Sequence, residues 1–189
     1  MTVTVEKDDH VRGSGPVTIL VYGDYECPYT RALELVIRQL RTRDETSFRY
    51  VYRYFPLREI HPHAEQAAEA AETVASLGGP EAFWRMHDAL FADQYHLERE
   101  DLVQRAINAG VNERAFRLAL QTQQFAGRVE RDVQSGSANG VEGNRRMFPS
   151  SRTRQTSRSR AGPCPGRVAM STTGIPGPSL TRGASLGSC

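Results

Sequence analysis

The chain has 189 residues, with 24 basic side chains against 22 acidic ones and an apolar fraction of 39%. That length suits one domain with a sizeable core, and the low apolar fraction predicts a segment that stays outside it. Three cysteines exclude a disulfide scaffold, no run approaches the ~18 apolar residues of a membrane span, and the first ten residues lack the apolar stretch of a signal peptide, so the expected location is cytoplasmic.

Residues 17–22 read Val-Thr-Ile-Leu-Val-Tyr after Gly15-Pro16, the pattern of a buried strand. A turn over residues 24–27 follows, and Pro28 opens a helical pattern, with proline in the one turn where its missing N–H is not needed. Leu33, Val36, Ile37 and Leu40 fall on one face of that helix. Residues 48–55 alternate aromatics with Arg49 and Arg53 and predict a second strand. Strand, helix and strand in this order form a parallel, right-handed unit. Helices are then expected over 62–77, ending at Gly78-Gly79, and over 80–91, 98–109, 113–121 (capped by Asn112) and 124–135. No strand pattern is visible after Gly143.

The charge divides at the same place. Every acidic residue lies at or before Glu142, and eight arginines follow Gly143. The first part therefore holds 16 basic against 22 acidic groups, a net −6, and the remainder is +8. No aromatic follows Phe148, and five of the ten prolines do. The organisation read from this is an N-terminal extension over 1–14, an incomplete domain over 15–148, and a basic, disordered tail over 149–189. A tail with no lysine and no aromatic disfavours a nucleic-acid partner.

Cys27 sits at the strand-to-helix turn, immediately before Pro28. Free backbone N–H groups and the positive end of the helix dipole favour the thiolate there, which is the reactive form. Cys27 is therefore the candidate nucleophile, against the plainer role of a small buried apolar residue.

Gly23-Asp24-Tyr25-Glu26-Cys27-Pro28-Tyr29-Thr30 after a strand resembles the DsbA-like group of thioredoxin-fold proteins, whose motif is Cys-Pro-x-Cys. Residues 48–57, His61-Pro62-His63-Ala64 and residues 83–91 extend the resemblance to signal-less DsbA-like domains, including those fused to sodium/proton antiporters. The resemblance covers about residues 9–143. It implies an α/β thioredoxin-like fold with an α-helical insertion, and a substrate face that includes Pro28 and Tyr29. Two departures stand out. Thr30 occupies the position of the second cysteine and cannot resolve a mixed disulfide, although its hydroxyl could donate a hydrogen bond to the Cys27 sulfur. Arg145, in Gly143-Asn144-Arg145-Arg146, stands at the family's cis-proline, which faces the catalytic cysteine. A non-proline cis bond costs about 3–4 kcal/mol, so Arg145 is expected to be trans, in an altered loop on the substrate face.

The C-terminal half of the sheet is thus expected to be missing or altered. A shifted reading frame accounts for the break. If Asn144 is AAC and Arg145 is CGA, reading from the last base of the Asn144 codon gives Pro-Thr, the pair that the family carries there. A chain lacking half its sheet should expose apolar surface on the first helix and the second strand.

His61, His63 and His87 form no convincing metal set, because no cysteine or carboxylate cluster completes it. Asp24 and Glu26 are expected to be solvated turn residues. Phe83, Trp84 and Phe91 are expected to be helix core. No cofactor is expected, with glutathione as a candidate co-substrate. The leading reading is a monothiol thiol–disulfide oxidoreductase with catalytic Cys27 and Thr30, acting on a thiol or disulfide protein or on glutathione. The rivals are an inactive relative that binds a peptide or partner, and a glutathione-dependent transferase or isomerase.

Overall fold

A computed structural model describes residues 4–44 and 46–141, together with the backbone of 169–171. Strand β1 is His10–Arg12 and β2 is Val17–Gly23. Helix α1 is Pro28–Arg43, and strand β3 is Phe48–Tyr54. Helices α2 (Ala64–Ala92), α3 (Arg99–Asn108), α4 (Glu113–Gln121) and α5 (Ala126–Ala138) follow, and β4 is Ala169–Ser171. The sheet order is β1-β3-β2-β4. β2 and β3 run parallel, in register from Val17 opposite Phe48 to Gly23 opposite Tyr54, and both β1 and β4 are antiparallel to their neighbours. This is a thioredoxin-like arrangement with helices inserted after the β-α-β unit. Among the described residues no helix is long and apolar enough to cross a membrane.

Strand alternation sends side chains to two cores. Val21, Tyr50, Tyr52 and Tyr54 join Ile37 of α1, Phe83, Trp84 and Leu90 of α2, Leu102 of α3 and Phe116 of α4 in the larger one. Leu20, Tyr22 and Val51 face the other way, with Val11, Phe55 and Val141. Helix α5 lies close on that second face: a Cβ at Gly136 would come within 2.6 Å of the Phe55 ring. Phe83, Trp84 and Phe91 are core, as read from the sequence.

Several expectations change. The two helices expected on either side of Gly78-Gly79 abut as one element, bent at Gly79, whose φ of 77° and ψ of −175° suit glycine. The first residues contribute a strand: Arg53, 2% exposed, holds Asp9 through two hydrogen bonds of 2.8 Å and the Thr4 carbonyl at 2.9 Å. The hydrogen bonds to Asp9 raise the Arg53 pKa, and burial opposes them. After Gly143, where no strand pattern was visible, the backbone of Ala169–Ser171 pairs with Thr18, Ile19 and Leu20. Three residues are too few for alternation to show in sequence. The remaining tail residues, the shifted-frame segment and Arg145 lie outside the described residues.

The exposed apolar surface is on the first helix but not on the second strand. Leu35, Val36 and Leu40 are 48%, 49% and 40% exposed. β3 is internal to the sheet, between β1 and β2, and its Tyr50, Val51, Tyr52 and Tyr54 are at most 1% exposed.

Candidate active site at Cys27

β2 ends at Gly23, a position where nothing larger fits: a Cβ there would lie 2.4 Å from the Tyr52 ring. The chain then turns, with the Cys27 N–H donating to the Asp24 carbonyl at 3.2 Å. Cys27 is the N-cap of α1, in an extended conformation (φ −75°, ψ 121°), and Pro28 follows in the first turn. The Arg31 N–H already donates to the Cys27 carbonyl at 3.1 Å. Proline has no N–H, so Tyr29 and Thr30 carry the N–H groups that the helical ladder leaves open. The Cys27 side chain makes no cap hydrogen bond and is partly exposed. Cys27 thus stands at the positive end of α1, next in sequence to those two donors, with its sulfur bonded to neither.

The turn is held from three directions. Asp24, 3% exposed, accepts the Glu26 N–H at 2.7 Å, the Leu57 N–H at 2.8 Å and pairs with His61 Nδ1 at 2.8 Å. Glu26 accepts the His63 N–H at 2.8 Å and sits 3.3 Å from His63 Nδ1. His63 also reaches Glu98, at 3.1 Å. Gln94, after α2, donates its amide to the carbonyls of Tyr25 (2.7 Å) and Cys27 (3.1 Å). Asp24 and Glu26 are therefore structural hubs and not merely solvated. His61 and His63 each pair with a different carboxylate, and among the described residues no group of three or more His, Cys, Asp or Glu side chains could hold a metal. The hydrogen bond to Asp24 raises the His61 pKa against the opposing effect of burial, and the bond to Glu26 does the same for His63.

Below the turn, α1 carries Glu34 into the core, 7% exposed, within reach of His87, which is 1% exposed. Tyr50 donates its hydroxyl to Glu34. Tyr25 Oη lies 3.1 Å from His87 Nδ1, and His87 Nε2 lies 3.4 Å from Glu34. Burial holds the Tyr25 and Tyr50 phenols well above their ordinary pKa, and the Glu34 charge adds to this. Both therefore remain donors. One tautomer satisfies the chain: Tyr25 donates to Nδ1, and Nε2–H donates to Glu34.

Of the residues singled out in the sequence, Cys27, Pro28, Tyr29 and Thr30 come together at the start of α1. Pro28 and Tyr29 are exposed. The Thr30 hydroxyl accepts the Asp24 N–H at 3.4 Å, and no bond from it to Cys27 Sγ occurs among those of the described residues. Gln94, Glu34 and the carboxylate–histidine pairs were missed as parts of the site. The available signal for the pairs was equal spacing, since Asp24-x-Glu26 and His61-x-His63 meet one to one. Gln94 gave none.

Comparison with known proteins follows the same lines. A thioredoxin family model, Thioredoxin_4, matches residues 6–144. The chain is 42% identical over 155 residues to Na(+)/H(+) antiporter NhaA 3 of Salinispora tropica, and 41% identical over 155 residues to NhaA 1 of Salinispora arenicola. Each match covers 80% of this chain and 23% of the relative, so the chain spans under a quarter of the length of these relatives. In fold it is similar to oxidised BdbD from Bacillus subtilis (TM-score 0.64, 22% identity, 71% of this chain and 77% of that one). It is also similar to the thiol-disulfide exchange protein alpha-DsbA2 from Wolbachia pipientis (TM-score 0.63, 20% identity, 73% and 74%).

Proposed function

This chain belongs to the thioredoxin family, and from that premise we propose that it is a DsbA-like thiol–disulfide oxidoreductase of monothiol type, with Cys27 as nucleophile. The observation that carries the reading is the place of Cys27: N-cap of α1, partly exposed, with Pro28 next and two open N–H groups beyond it. The Cys27 thiolate attacks one sulfur of a substrate disulfide. A new S–S bond forms to Cys27, the old one breaks, and the other substrate sulfur leaves as a thiolate. Thr30 cannot complete the cycle from within. A second thiol from outside, such as glutathione in a reducing cytoplasmic pool, attacks the mixed disulfide and returns Cys27 to its thiolate. Thr30 acts on the turn, through Asp24, and Pro28 and Tyr29 form the exposed surface that a substrate meets first.

Glutathione disulfide is the simplest probe. Incubation of the full chain is expected to place one glutathionyl group on Cys27, located by peptide mass spectrometry, and reduced glutathione is expected to remove it. An adduct that forms and is not released would favour a binding protein without turnover. No adduct on Cys27, with Cys164 and Cys189 modified in the same sample, would sink the nucleophile assignment. Thr30→Cys tests the motif itself. It is expected to form an internal disulfide with Cys27 and to gain insulin-reducing activity over the native chain.

A further inference from the structure

A cavity of about 520 Å3 opens where the start of α2 faces the first residue of α3 and the end of α4. Glu69 lines it and is 5% exposed, yet its carboxylate has no hydrogen bond or ion pair among the described residues. Neither of its oxygens is among the fully buried side-chain atoms that lack a partner, so the small exposed part of Glu69 is its carboxylate, open to a ligand in the cavity. Burial raises its pKa, the Glu65 charge adds to this, and Arg58 opposes it. Glu65, at the rim, is bonded to Arg58 at 2.7 Å, and Arg58 also holds Glu130 at 3.0 Å. Arg99 lines the same cavity from an exposed position at the start of α3. The C-terminal end of α4, the negative end of its dipole, supplies Leu120 and Gln121 to the wall.

These groups suit one kind of occupant. Both carboxylate oxygens of Glu69 are unspent, which matches the two-pronged donor face of a guanidinium. Pro62 and Leu120 give the cavity apolar walls along which an aliphatic stem can lie. We propose that this cavity takes the arginine side chain of a substrate polypeptide, its guanidinium paired with Glu69 and its stem against Pro62 and Leu120. The proposal rests on the oxidoreductase reading above and narrows its substrate class. Pro62 lies between His61 and His63, the residues bonded to Asp24 and Glu26 of the Cys27 turn, so the cavity and the turn share one loop.

The test uses the full chain and two short peptides, each with one cysteine blocked as a chromogenic nitrobenzoate disulfide, that differ only in carrying arginine or its neutral isostere citrulline. The part of the chromophore release that Cys27→Ser abolishes reads the attack by Cys27, since Cys164 and Cys189 can also release it. The arginine peptide is expected to react about fivefold faster at low salt. Glu69→Gln is expected to abolish that advantage and Glu65→Gln to reduce it, with iodoacetamide alkylation of Cys27 unchanged in both. Equal rates for the two peptides on the native chain would overturn the proposal. So would an arginine preference that emerges only in Arg99→Gln, since Arg99 would then be the native partner of Glu69. If neither peptide reacts, the oxidoreductase reading fails on its own. The cavity is then judged by calorimetry with peptides carrying serine for cysteine: arginine-dependent binding lost in Glu69→Gln sustains it, and no binding ends it.

Discussion

The two sides of α1 could hardly differ more. One side, with the turn that leads into it, is bonded to the rest of the molecule: Asp24 to three donors, Glu26 to His63, Glu34 to Tyr50 and His87. The other carries Leu35, Val36 and Leu40 toward solvent, each at least 40% exposed, with Tyr29 at 44% nearer the thiol. The helix thus has an apolar stripe that the described residues do not cover and a buried face that includes an acid. Hydrophobic periodicity shows where apolar side chains lie on a helix. Which face is buried is decided by the elements it packs against.

Substitutions on the two sides should therefore differ sharply in cost. The largest effect is expected at Asp24. Asp24→Ala removes the acceptor of two backbone N–H groups and of His61, and should destabilise the fold by about 3–5 kcal/mol in urea unfolding. Glu34→Ala comes next, at about 2–3 kcal/mol, because Tyr50 and His87 lose their acceptor in the core. Val36→Ala, on the bare side of the same helix, should cost under about 0.5 kcal/mol. A loss at Val36 as large as that at Glu34 would mean that something covers the outer stripe in solution.

The bare side also offers a test by charge. Val36→Lys with Leu40→Lys should leave the unfolding midpoint nearly unchanged while lowering binding of an apolar dye and self-association in sedimentation. The shifted-frame reading sharpens the same point, because it holds that the exposed stripe belongs with a C-terminal sequence written in another frame. Translation of the encoding DNA in the other two forward frames should give Pro-Thr after Gly143, then an alternating apolar strand and a glycine turn within about fifteen residues. If neither frame does so, that reading is wrong.

What could be read from the sequence was mostly local. Pro28 at a helix start and Gly15-Pro16 before a β-rich run fix chain geometry within a few residues, and the β-α-β unit with Cys27 at its turn followed from them. β1 could not be read, because it is three residues long and only Val11 among them favours a strand. They are held by distant partners: His10 stacks on Phe83 with centroids 3.6 Å apart and bonds to Glu72 at 2.7 Å. Glu34 was hidden because an acid within an amphipathic helix reads as part of its solvated face. The two carboxylate–histidine pairs depend on the parallel register that brings residue 24 beside residue 61, a separation across which no local pattern acts. Gln94 reaches the Cys27 carbonyl from 67 positions away.

The most specific effect concerns what holds the Cys27 turn. The His61 pKa is raised in the folded protein, first by the hydrogen bond to Asp24. A raised pKa means that the charged histidine stabilises the fold fully below its unfolded value of ~6.5 and that this contribution is lost as pH rises through the folded value. The native chain should therefore lose stability as pH climbs from 6 through that value, measured as a falling urea midpoint. His63 follows the same sign with less weight, since its side chain is 35% exposed and solvent screens it. His61→Gln should flatten much of the slope, leaving the Leu57 and Glu26 N–H groups still bonded to Asp24. Parallel profiles for the native chain and His61→Gln would show that these two backbone donors hold the turn without the ion pair. Asp24 would then remain the largest loss in the series, but for its hydrogen bonds to the backbone alone.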